Sequence, residues 1–517
     1  MNLVSSVHQT AQTKPDKVAY RFMEKDTTYA EFDLSVSMFA SALKELGVNE
    51  GDKVAFLLGN TPHYLISLYA TMRLGATAVP INPLYTPDEI SFILENSDAK
   101  AVIAIDQLLP LVEVASHSFP TIENYIICEL SPDTPEKMAG LADSVKTKVH
   151  AFMALMKQSQ PLSEMVKVDE DESAIILYTS GTTGHPKGAM LTHKNIYSNA
   201  RDVGNYLDFS EDDRIVATLP LFHVFALTVV ANAPLLKGAT ILLEPRFSPS
   251  EIFSLIRKQK ATVFAGVPTM YNFLYQYPDG KTEDFETVRL AISGGSSLPV
   301  SLLHDFEEKF QVRVSEGYGL SEASPVTCFN PLDRERVPGS IGTTIMNVEN
   351  KVVNELGEEV ADNEVGELIV RGPNVMKGYY KLPEETAAVL RDGWLYTGDL
   401  ARRDENGYFY IVDRKKDMII VGGFNVYPRE VEEVLFSHRD IIEAAVIGVP
   451  DVNFGEEVQA YVVLKEGSKA TEQTILDFCA KRLAKYKVPK YIEFLDELPK
   501  NTTGKILRRS LKDQVKN

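Results

Sequence analysis

The sequence has little of what marks disulfide-rich, zinc-binding or nucleic-acid-binding proteins. Its three cysteines, Cys128, Cys328 and Cys479, are far apart and form no C-x-x-C pair. This excludes a disulfide framework and a zinc ribbon and favours the reducing cytoplasm. Lys and Arg number 53 against 72 Asp and Glu, and the formal net charge of −19 disfavours nucleic acid as a partner and strong attachment to an anionic membrane.

Segments that would insert into or cross a membrane are also lacking. The longest uncharged apolar run, residues 224–236, is shorter than the ~20 residues that span a bilayer and contains Asn232 and Pro234. The N-terminus lacks the basic and apolar regions of a secretory signal. We expect a cytoplasmic protein without a transmembrane segment, while a weak peripheral membrane contact and a homodimer stay open.

What the chain does have is a regular alternation of short apolar runs and helical patterns over 517 residues. Apolar runs such as VAFLL at 54–58 read as strands, and Thr-Pro or Ser-Pro pairs at Thr61, Thr86 and Ser248 are typical of helix starts. The pattern predicts a βαβαβ unit at 54–105 and another from about 240 to 319. Parallel sheets of this kind bind ligands beyond the carboxyl ends of their strands.

Two further regions have a different pattern. Residues 340–412 show short alternating strands and Gly turns, which predict a β-rich subdomain. After residue 417 the sequence predicts a helix from Pro428, strands, a helix over 471–486 and a last strand near 491. The predicted fold class is α/β, with two doubly wound parallel-sheet subdomains, a β-rich subdomain and a small, mobile α+β C-terminal domain. The expected boundaries are 1–413 for the large domain, 414–417 for a hinge and 418–517 for the small domain.

The segment YTSGTTGHPKG, residues 178–188, directly follows an apolar strand and contains no acidic side chain. Glycines permit close backbone approach, and N–H groups, hydroxyls and an ammonium bind phosphate oxygens, so the loop is suited to a polyphosphate. It is not a Walker A loop, because Pro186 precedes Lys187 and Gly188 follows it. The predicted phosphate-binding residues are Thr179, Ser180, Gly181, Thr182, Thr183, Gly184 and Lys187.

This loop and four later segments resemble the core motifs of the adenylate-forming superfamily, in that family's order. The later segments are EGYGLSE (316–322), GWLYTGDLA (393–401), YIVDRKKDMIIVGGFNVYPREVE (410–432) and PKNTTGKILRR (499–509). The superfamily includes acyl-CoA synthetases, luciferase and peptide-synthetase adenylation domains, and the chain looks most similar to bacterial long-chain fatty acid CoA ligases. The resemblance implies that a carboxylate attacks ATP to give acyl-AMP and pyrophosphate, with Mg²⁺, and that the thiol of CoA then displaces AMP.

The resemblance also implies where the nucleotide binds. Glu322 would be the Mg²⁺ ligand, and Asp399 and Arg414 would hold the ribose hydroxyls. Tyr318 would lie against adenine, and Ser321 stands where the family has threonine. The other residues expected near the base are Gly294, Gly295, Ser296, Gly317 and Gly319.

The C-terminal region carries the remaining roles implied by the resemblance. Lys505 would reach the acyl carboxylate and the α-phosphate, although its basic surroundings alone would be typical of a solvated tail. Lys416 would be the hinge about which the small domain turns. Gly422 and Gly423 would line the passage for the pantetheine arm of CoA.

The segment LPLFHVFALTVV, residues 219–230, corresponds to the part of the family that lines the acid pocket. It contains no acidic residue to hold an ammonium group, which disfavours an amino acid substrate. His223 either shapes the pocket or is a hydrogen-bonded core residue. An apolar wall is expected from Val224, Phe225, Val267, Met270 and Tyr271. The substrate is therefore predicted to be a medium- or long-chain fatty acid, with an aryl-acid (4-coumarate-type) CoA ligase or an inactive acyl- or nucleotide-binding relative as alternatives.

Overall fold

The computed structural model describes residues 2–162, 164–179, 186–501 and 504–515. Over these residues the strands form four sheets. None of the helices described there has the length and apolar content needed to cross a membrane.

The first sheet has parallel central strands and antiparallel strands at both edges. In spatial order its strands are Thr343–Thr344, Val326–Phe329, Val314–Gly319, Leu290–Ser293, Val263–Gly266, Arg214–Ala217, Thr240–Leu243, Val18–Phe22 and Lys25–Thr28.

The second sheet is parallel except at one edge, where each of the last two strands pairs antiparallel with the strand before it. In spatial order its strands are Gly378–Tyr379, Lys187–Thr192, Ser173–Thr179, Thr77–Pro80, Lys53–Leu57, Ala99–Ile105, Asn124–Cys128 and Val149–Ala151.

Both sheets are covered on their two faces. Successive side chains of a strand point to opposite sides of the sheet, so neighbouring residues pack into different cores. Val54 and Phe56 belong to a large core that residues of both sheets share, whereas Ala55 and Leu57 pack into a separate outer core. The first sheet follows the same rule, and Val216 packs into a separate outer core of that sheet. The predicted pair of doubly wound sheets is confirmed.

The helices begin where the sequence predicts them. At the start of Pro87–Asn96, the Thr86 hydroxyl accepts from the Glu89 N–H and the Glu89 carboxylate accepts from the Thr86 N–H. The α-helices of the large domain are Leu3–Thr13, Tyr29–Glu45, Pro62–Arg73, Pro87–Asn96, Leu109–Ser118, Thr134–Ala139, Asp143–Lys146, Phe152–Gln158, His193–Tyr206, Val224–Ala226, Ala233–Lys237, Pro249–Gln259, Pro268–Gln276, Val300–Phe310 and Pro383–Val389. A π-helical segment, Leu227–Asn232, and 3₁₀ turns at Asp106–Leu108, Thr282–Phe285 and Ser321–Ala323 complete them.

The third sheet is antiparallel and corresponds to the predicted β-rich region. Its strands are Glu349–Val353, Gly366–Arg371, Trp394–Arg403, Leu390–Arg391 and Phe409–Arg414.

The fourth sheet builds an α+β unit near the C-terminus, with helices Pro428–Phe436, Glu472–Ala480 and Arg508–Val515. Along its longest strand, Ala444 and Val446 face one core, while Ala445 and Ile447 face another. Its strands are Phe424–Val426, Ile419–Val421, Gly455–Leu464, Ile441–Asp451 and Tyr491–Phe494.

The helix predicted over 471–486 is shorter than expected and ends at Ala480. Beyond it the chain turns, and only a 3₁₀ turn, Lys485–Lys487, follows. The turn allows Leu483 and Tyr486 to pack against the core that contains Ile475. The tertiary packing of these side chains, rather than local helix propensity, sets the end of the helix.

Candidate functional site

A cavity of about 2100 Å³ lies beyond the carboxyl ends of parallel strands. Leu219, Val267 and Gly294 line it from the ends of strands in the first sheet, and Thr179 lines it from the second. Lys505 reaches the same cavity from the C-terminal unit. Both halves of the chain therefore contribute to one site.

Most of the residues that the sequence singles out lie in the wall of this cavity. They are Thr179, Lys187, His223, Phe225, Val267, Gly294, Gly295, Ser296, Gly317, Tyr318, Gly319, Ser321, Glu322, Asp399, Arg414, Lys416 and Lys505. Gly422 and Gly423 are apart from it, in the exposed turn between strands Ile419–Val421 and Phe424–Val426. The predicted phosphate-binding residues Ser180, Gly181, Thr182, Thr183 and Gly184 lie outside the described residues.

Asp399 and Arg414 face each other on neighbouring antiparallel strands. Arg414 Nε lies 3.2 Å from Asp399 Oδ1, and the Tyr318 hydroxyl donates to Asp399 Oδ2. Burial and the nearby carboxylate raise the pKa of Tyr318 well above its usual value, so its hydroxyl stays protonated and remains a donor. A buried carboxylate, a guanidinium and a phenol ring are thus fixed together in the cavity wall.

Lys505 enters the cavity on a turn that packs tightly against the large domain. A Cβ on Gly504 would lie 2.6 Å from Thr269 Oγ1, so glycine is needed for this close approach. The Lys505 side chain is exposed to solvent within the cavity, and the nearby protein atoms displace part of its hydration. This desolvation, with the charge of Arg414 next in importance, lowers the pKa of Lys505 to about 8, and Asp399 partly opposes the shift.

His223 lines the cavity between the apolar residues of its segment. Its Nδ1 accepts from the Phe225 N–H at 3.3 Å and so caps the short helix Val224–Ala226. Desolvation, with a smaller contribution from the Lys505 ammonium, lowers the pKa of His223 to about 4. The ring is therefore neutral at pH 7. It caps the short helix and also lines the cavity.

Glu322, Lys187 and Tyr379 form a group at the opposite side of the site. The Tyr379 hydroxyl donates to Glu322 Oε1 at 2.8 Å, and Lys187 Nζ lies 5.4 Å from the centroid of the Tyr379 ring. Sequence reasoning missed Tyr379. No local signal distinguishes it from Tyr380, because its position next to Glu322 arises only when a strand from the β-rich region joins the second sheet.

The donor set fits a magnesium ion held with a nucleotide. Mg²⁺ takes oxygen ligands and is commonly bound by one or two carboxylates plus substrate phosphates and water. Glu322 Oε2 accepts no hydrogen bond from residues that the structure describes, and Glu322 lines the cavity. Among those residues no group of three or more His, Cys, Asp or Glu gathers as an independent metal site. The protein would supply one carboxylate, and the phosphates would supply further oxygens.

The glycines of EGYGLSE are required by strand packing. A Cβ on Gly317 would lie 2.2 Å from the Phe329 ring, and one on Gly319 would lie 2.3 Å from the Pro325 carbonyl oxygen. The neighbouring strand Val326–Phe329 and the residues before it fill this space. Close backbone packing therefore gives these positions a reason to be glycine that is independent of a bound base.

Part of the cavity wall is apolar. Tyr271, expected in its wall, instead points into the outer core of the first sheet and donates to the Ile292 carbonyl, and Met270 does not line the cavity either. Val267 caps the helix Pro268–Gln276, and the helix turns Thr269 and Asn272 toward the cavity while Tyr271, on another face, points into the core. Val229 lies in the predicted segment 219–230, and the apolar lining residues that sequence reasoning missed include Val203, Tyr206, Leu207, Phe329 and Ile345.

The C-terminal unit is held against the large domain by its first helix, Pro428–Phe436. Arg429 donates from Nη1 to the Ile411 carbonyl at 2.6 Å and from its backbone N–H to Asp413 Oδ2 at 2.9 Å. Burial raises the pKa of Glu316 on the facing strand to about 7, and the charge of Arg429 opposes this shift. The Val300 N–H also binds Glu433. These contacts join the helix to residues 300–316 and 411–413 of the preceding part of the chain.

Comparison with known proteins agrees with this arrangement. A family model described as AMP-binding enzyme matches residues 7–380, and a model of the AMP-binding enzyme C-terminal domain matches residues 430–505. The long-chain-fatty-acid–CoA ligase of Bacillus subtilis (strain 168) is 41% identical, over 99% of this chain and 94% of that protein. The feruloyl-CoA synthase of an Amycolatopsis species is 38% identical, over 96% of each.

A solved structure shares the whole architecture. ATP-bound MatB from Rhodopseudomonas palustris superposes with a TM-score of 0.89 at 33% identity, over 100% of this chain and 99% of that one. The apo form of the same protein gives a TM-score of 0.78. The superfamily resemblance is confirmed by the two family models and by relatives that match over the full length. The chain therefore belongs to the AMP-binding enzyme family, the adenylate-forming superfamily that its motifs resemble.

Proposed function

We propose that this protein is an ATP-dependent ligase that activates a medium- or long-chain fatty acid as acyl-AMP and transfers the acyl group to CoA. One observation carries the proposal: a single cavity is lined both by charged residues, such as Glu322, Asp399 and Lys505, and by apolar side chains, such as Phe225 and Val229. At about 2100 Å³ the cavity is about twice the upper end of the roughly 300–1000 Å³ typical of a site for one small ligand. It has room for two substrates at once.

In the first half-reaction, a carboxylate oxygen of the acid attacks the α-phosphorus of ATP, and the bond to the β-phosphate oxygen breaks. Asp399 and Arg414 hold the ribose, and Tyr318 lies beside the base. The Lys505 ammonium stabilises the negative charge that develops between the carboxylate and the α-phosphate. Glu322 would hold Mg²⁺ together with the phosphates, and the ion would supply positive charge next to the departing pyrophosphate.

In the second half-reaction, the sulfur of CoA attacks the acyl carbon, and AMP leaves with the electron pair of the broken C–O bond. Lys505 has then finished its task. A turn of the C-terminal unit about Lys416 would remove it and would bring Gly422 and Gly423 to the cavity, where they would line the path of the pantetheine arm. The higher TM-score to the ATP-bound form of MatB supports assigning the present arrangement to the first half-reaction.

The apolar part of the cavity supports an alkyl acid. Val203, Leu207 and Val229 are almost fully buried side chains in its wall, and each methylene of a fatty acid placed there contributes about 0.8 kcal/mol. The 38% identity to a feruloyl-CoA synthase favours a second candidate, an aryl-acid CoA ligase, because the two would share the nucleotide site.

A substrate panel separates these candidates. ATP–pyrophosphate exchange and CoA-dependent AMP release are measured with octanoate, palmitate and 4-coumarate. Preference for either fatty acid supports the proposal, preference for coumarate replaces it with the aryl candidate, and no exchange with any acid leaves an inactive binding relative. As an internal check, Val203→Phe should lower kcat/KM for palmitate more than for octanoate, with the thermal melting temperature recorded for both proteins.

A further inference from the structure

The strand Gly378–Tyr379 connects two parts of the nucleotide site that belong to different sheets. It is an edge strand of the second sheet and pairs with Lys187–Thr192, the strand that begins at the phosphate-loop lysine. The Lys377 N–H donates to the Met190 carbonyl at 2.9 Å, and the Tyr380 N–H donates to the Gly188 carbonyl at 2.8 Å. This segment is thus fixed to the second sheet by backbone hydrogen bonds on both sides of Tyr379.

The same segment holds Glu322, which follows a strand of the first sheet. The Met376 N–H donates to the Glu322 carbonyl at 2.8 Å, and the Tyr379 hydroxyl donates to the Glu322 carboxylate at 2.8 Å. The Asn374 side chain donates to the next carbonyl, that of Ala323, at 2.8 Å. Both the main chain and the side chain of Glu322 are therefore positioned from outside their own sheet.

Lys187 and Glu322 carry opposite charges and share Tyr379 as a neighbour, yet the structure gives no ion pair between them. Nζ of Lys187 lies over the Tyr379 ring, and the carboxylate accepts from the hydroxyl at its edge. Two opposite charges in a partly desolvated cavity attract each other, and direct pairing would neutralise both. A ring face binds a cation and a phenol O–H binds an anion, so one tyrosine satisfies both without joining them.

We infer that Tyr379 is a positioning residue that keeps Lys187 and Glu322 apart and directs the one toward the phosphates and the other toward Mg²⁺. This inference rests on the proposed function of the site. On this inference, the Tyr379 hydroxyl contributes to the ATP affinity that depends on Mg²⁺. The Tyr379 ring contributes to the ATP affinity that depends on Lys187. The two contributions are separable by substitution.

Two variants and a matched control test it. Tyr379→Phe keeps the ring under Lys187 and removes the donor to Glu322, whereas Tyr379→Leu removes both. Tyr380→Phe is the control, because its hydroxyl donates to Asp98 and it does not line the cavity. The readout is the equilibrium affinity for ATP without an acid substrate, measured by calorimetry in the presence of Mg²⁺ and in EDTA.

Tyr379→Phe should leave the affinity in EDTA within about twofold of the wild type and reduce the gain on adding Mg²⁺ by about tenfold, the effect of losing one hydrogen bond to a charged group. Tyr379→Leu should in addition weaken binding in EDTA. Adding Lys187→Met to Tyr379→Leu should cause no further loss of ATP affinity. Adding it to Tyr379→Phe should cause the same loss of ATP affinity as it does in the wild type. Tyr380→Phe should match the wild type.

Loss of affinity in Tyr379→Phe that is equal with and without Mg²⁺, or indistinguishable from that of Tyr380→Phe, would overturn the inference. Strict additivity of Lys187→Met with Tyr379→Leu would do the same. If Tyr379→Leu does not fold, Tyr379→Phe alone decides. Wild-type exchange activity distinguishes failure of this inference from failure of the proposed function. If the wild type shows normal acid-dependent exchange and Tyr379→Phe has an unchanged Mg²⁺ dependence, only this inference fails. If the wild type neither binds ATP nor catalyses exchange, the proposed function fails as well.

Discussion

The charge on Lys505 should limit the first half-reaction at alkaline pH. Its pKa of about 8 in the free protein lies below the ordinary lysine value, because desolvation and the charge of Arg414 both disfavour the ammonium. The charged form therefore predominates below pH 8 and is lost as the pH rises above it. About nine-tenths of the side chains are charged at pH 7 and about one-tenth at pH 9, so kcat/KM for ATP should fall roughly tenfold over that interval.

The assay is acid-dependent ATP–pyrophosphate exchange from pH 6.5 to 9.5, with kcat/KM reporting the free protein. The bound phosphates stabilise the ammonium and raise its pKa, so the profile of kcat should fall at a higher pH than that of kcat/KM. Lys505→Arg keeps a charge at every pH and should lose this alkaline limb. Lys505→Ala should lose it too and should slow acyl-AMP formation by about 10²–10³, while sparing thioester formation from preformed acyl-AMP.

Three results would refute this reasoning. The same alkaline limb in Lys505→Ala would assign the titration to another group. Equal loss of both half-reactions in Lys505→Ala would make its role structural. A limb that lies at the same pH for kcat and kcat/KM would contradict contact between Lys505 and the bound phosphates.

Five further substitutions, one of them a control, have expected outcomes. Asp399→Asn leaves Arg414 without its carboxylate and should raise the KM for ATP by about ten- to a hundredfold in initial-rate assays; an unchanged KM would count against the ribose role. Arg429→Leu removes the hydrogen bond to the Ile411 carbonyl and should slow adenylation more than thioester formation in separate half-reaction assays, and an equal effect would contradict this. Lys416→Pro fixes φ at the hinge and should have the opposite preference, whereas wild-type rates for both steps would argue against a pivot there. Gly342→Ala places a Cβ 2.0 Å from the Phe329 carbonyl carbon at a φ of +84° and should destabilise the fold by several kcal/mol in urea titrations, whereas Gly407→Ala, at φ +82° with open space, should cost about 1 kcal/mol; similar losses would refute the steric argument.

The sequence was sufficient to predict the layers of the large domain, because local patterns dictate them. Fully apolar runs are typical of strands buried on both faces, and the Thr-Pro pairs start helices at Pro62 and Pro87, the second with a capping box at Thr86. The motifs of the proposed nucleotide site were also recognisable, since each contains within a few residues the groups that its expected chemistry needs.

Residues that act through distant contacts could not be predicted in this way. Tyr379 lies 57 residues from Glu322 along the chain, and Arg429 meets Ile411 only after two domains pack together. The orientation of side chains on the helix Pro268–Gln276 was a further limit: Tyr271 is apolar enough for either the cavity or the core, and its hydroxyl finds an acceptor only in the core, at the Ile292 carbonyl. Tertiary packing, which no short segment encodes, makes these assignments.

The two ends of the cavity differ in how they tolerate change. At the proposed nucleotide end, glycines in tight contact with neighbouring strands and the ion pair of the buried Asp399 with the partly exposed Arg414 leave few alternatives for any single position. At the opposite end, aliphatic side chains such as Val203, Val229 and Ile345 line the cavity, and exchanges among apolar residues of similar volume cost least there. Laboratory selection for activity toward new acid substrates should therefore accumulate substitutions at that end. The residues proposed to bind ATP should stay unchanged, which makes the scaffold suited to diversification.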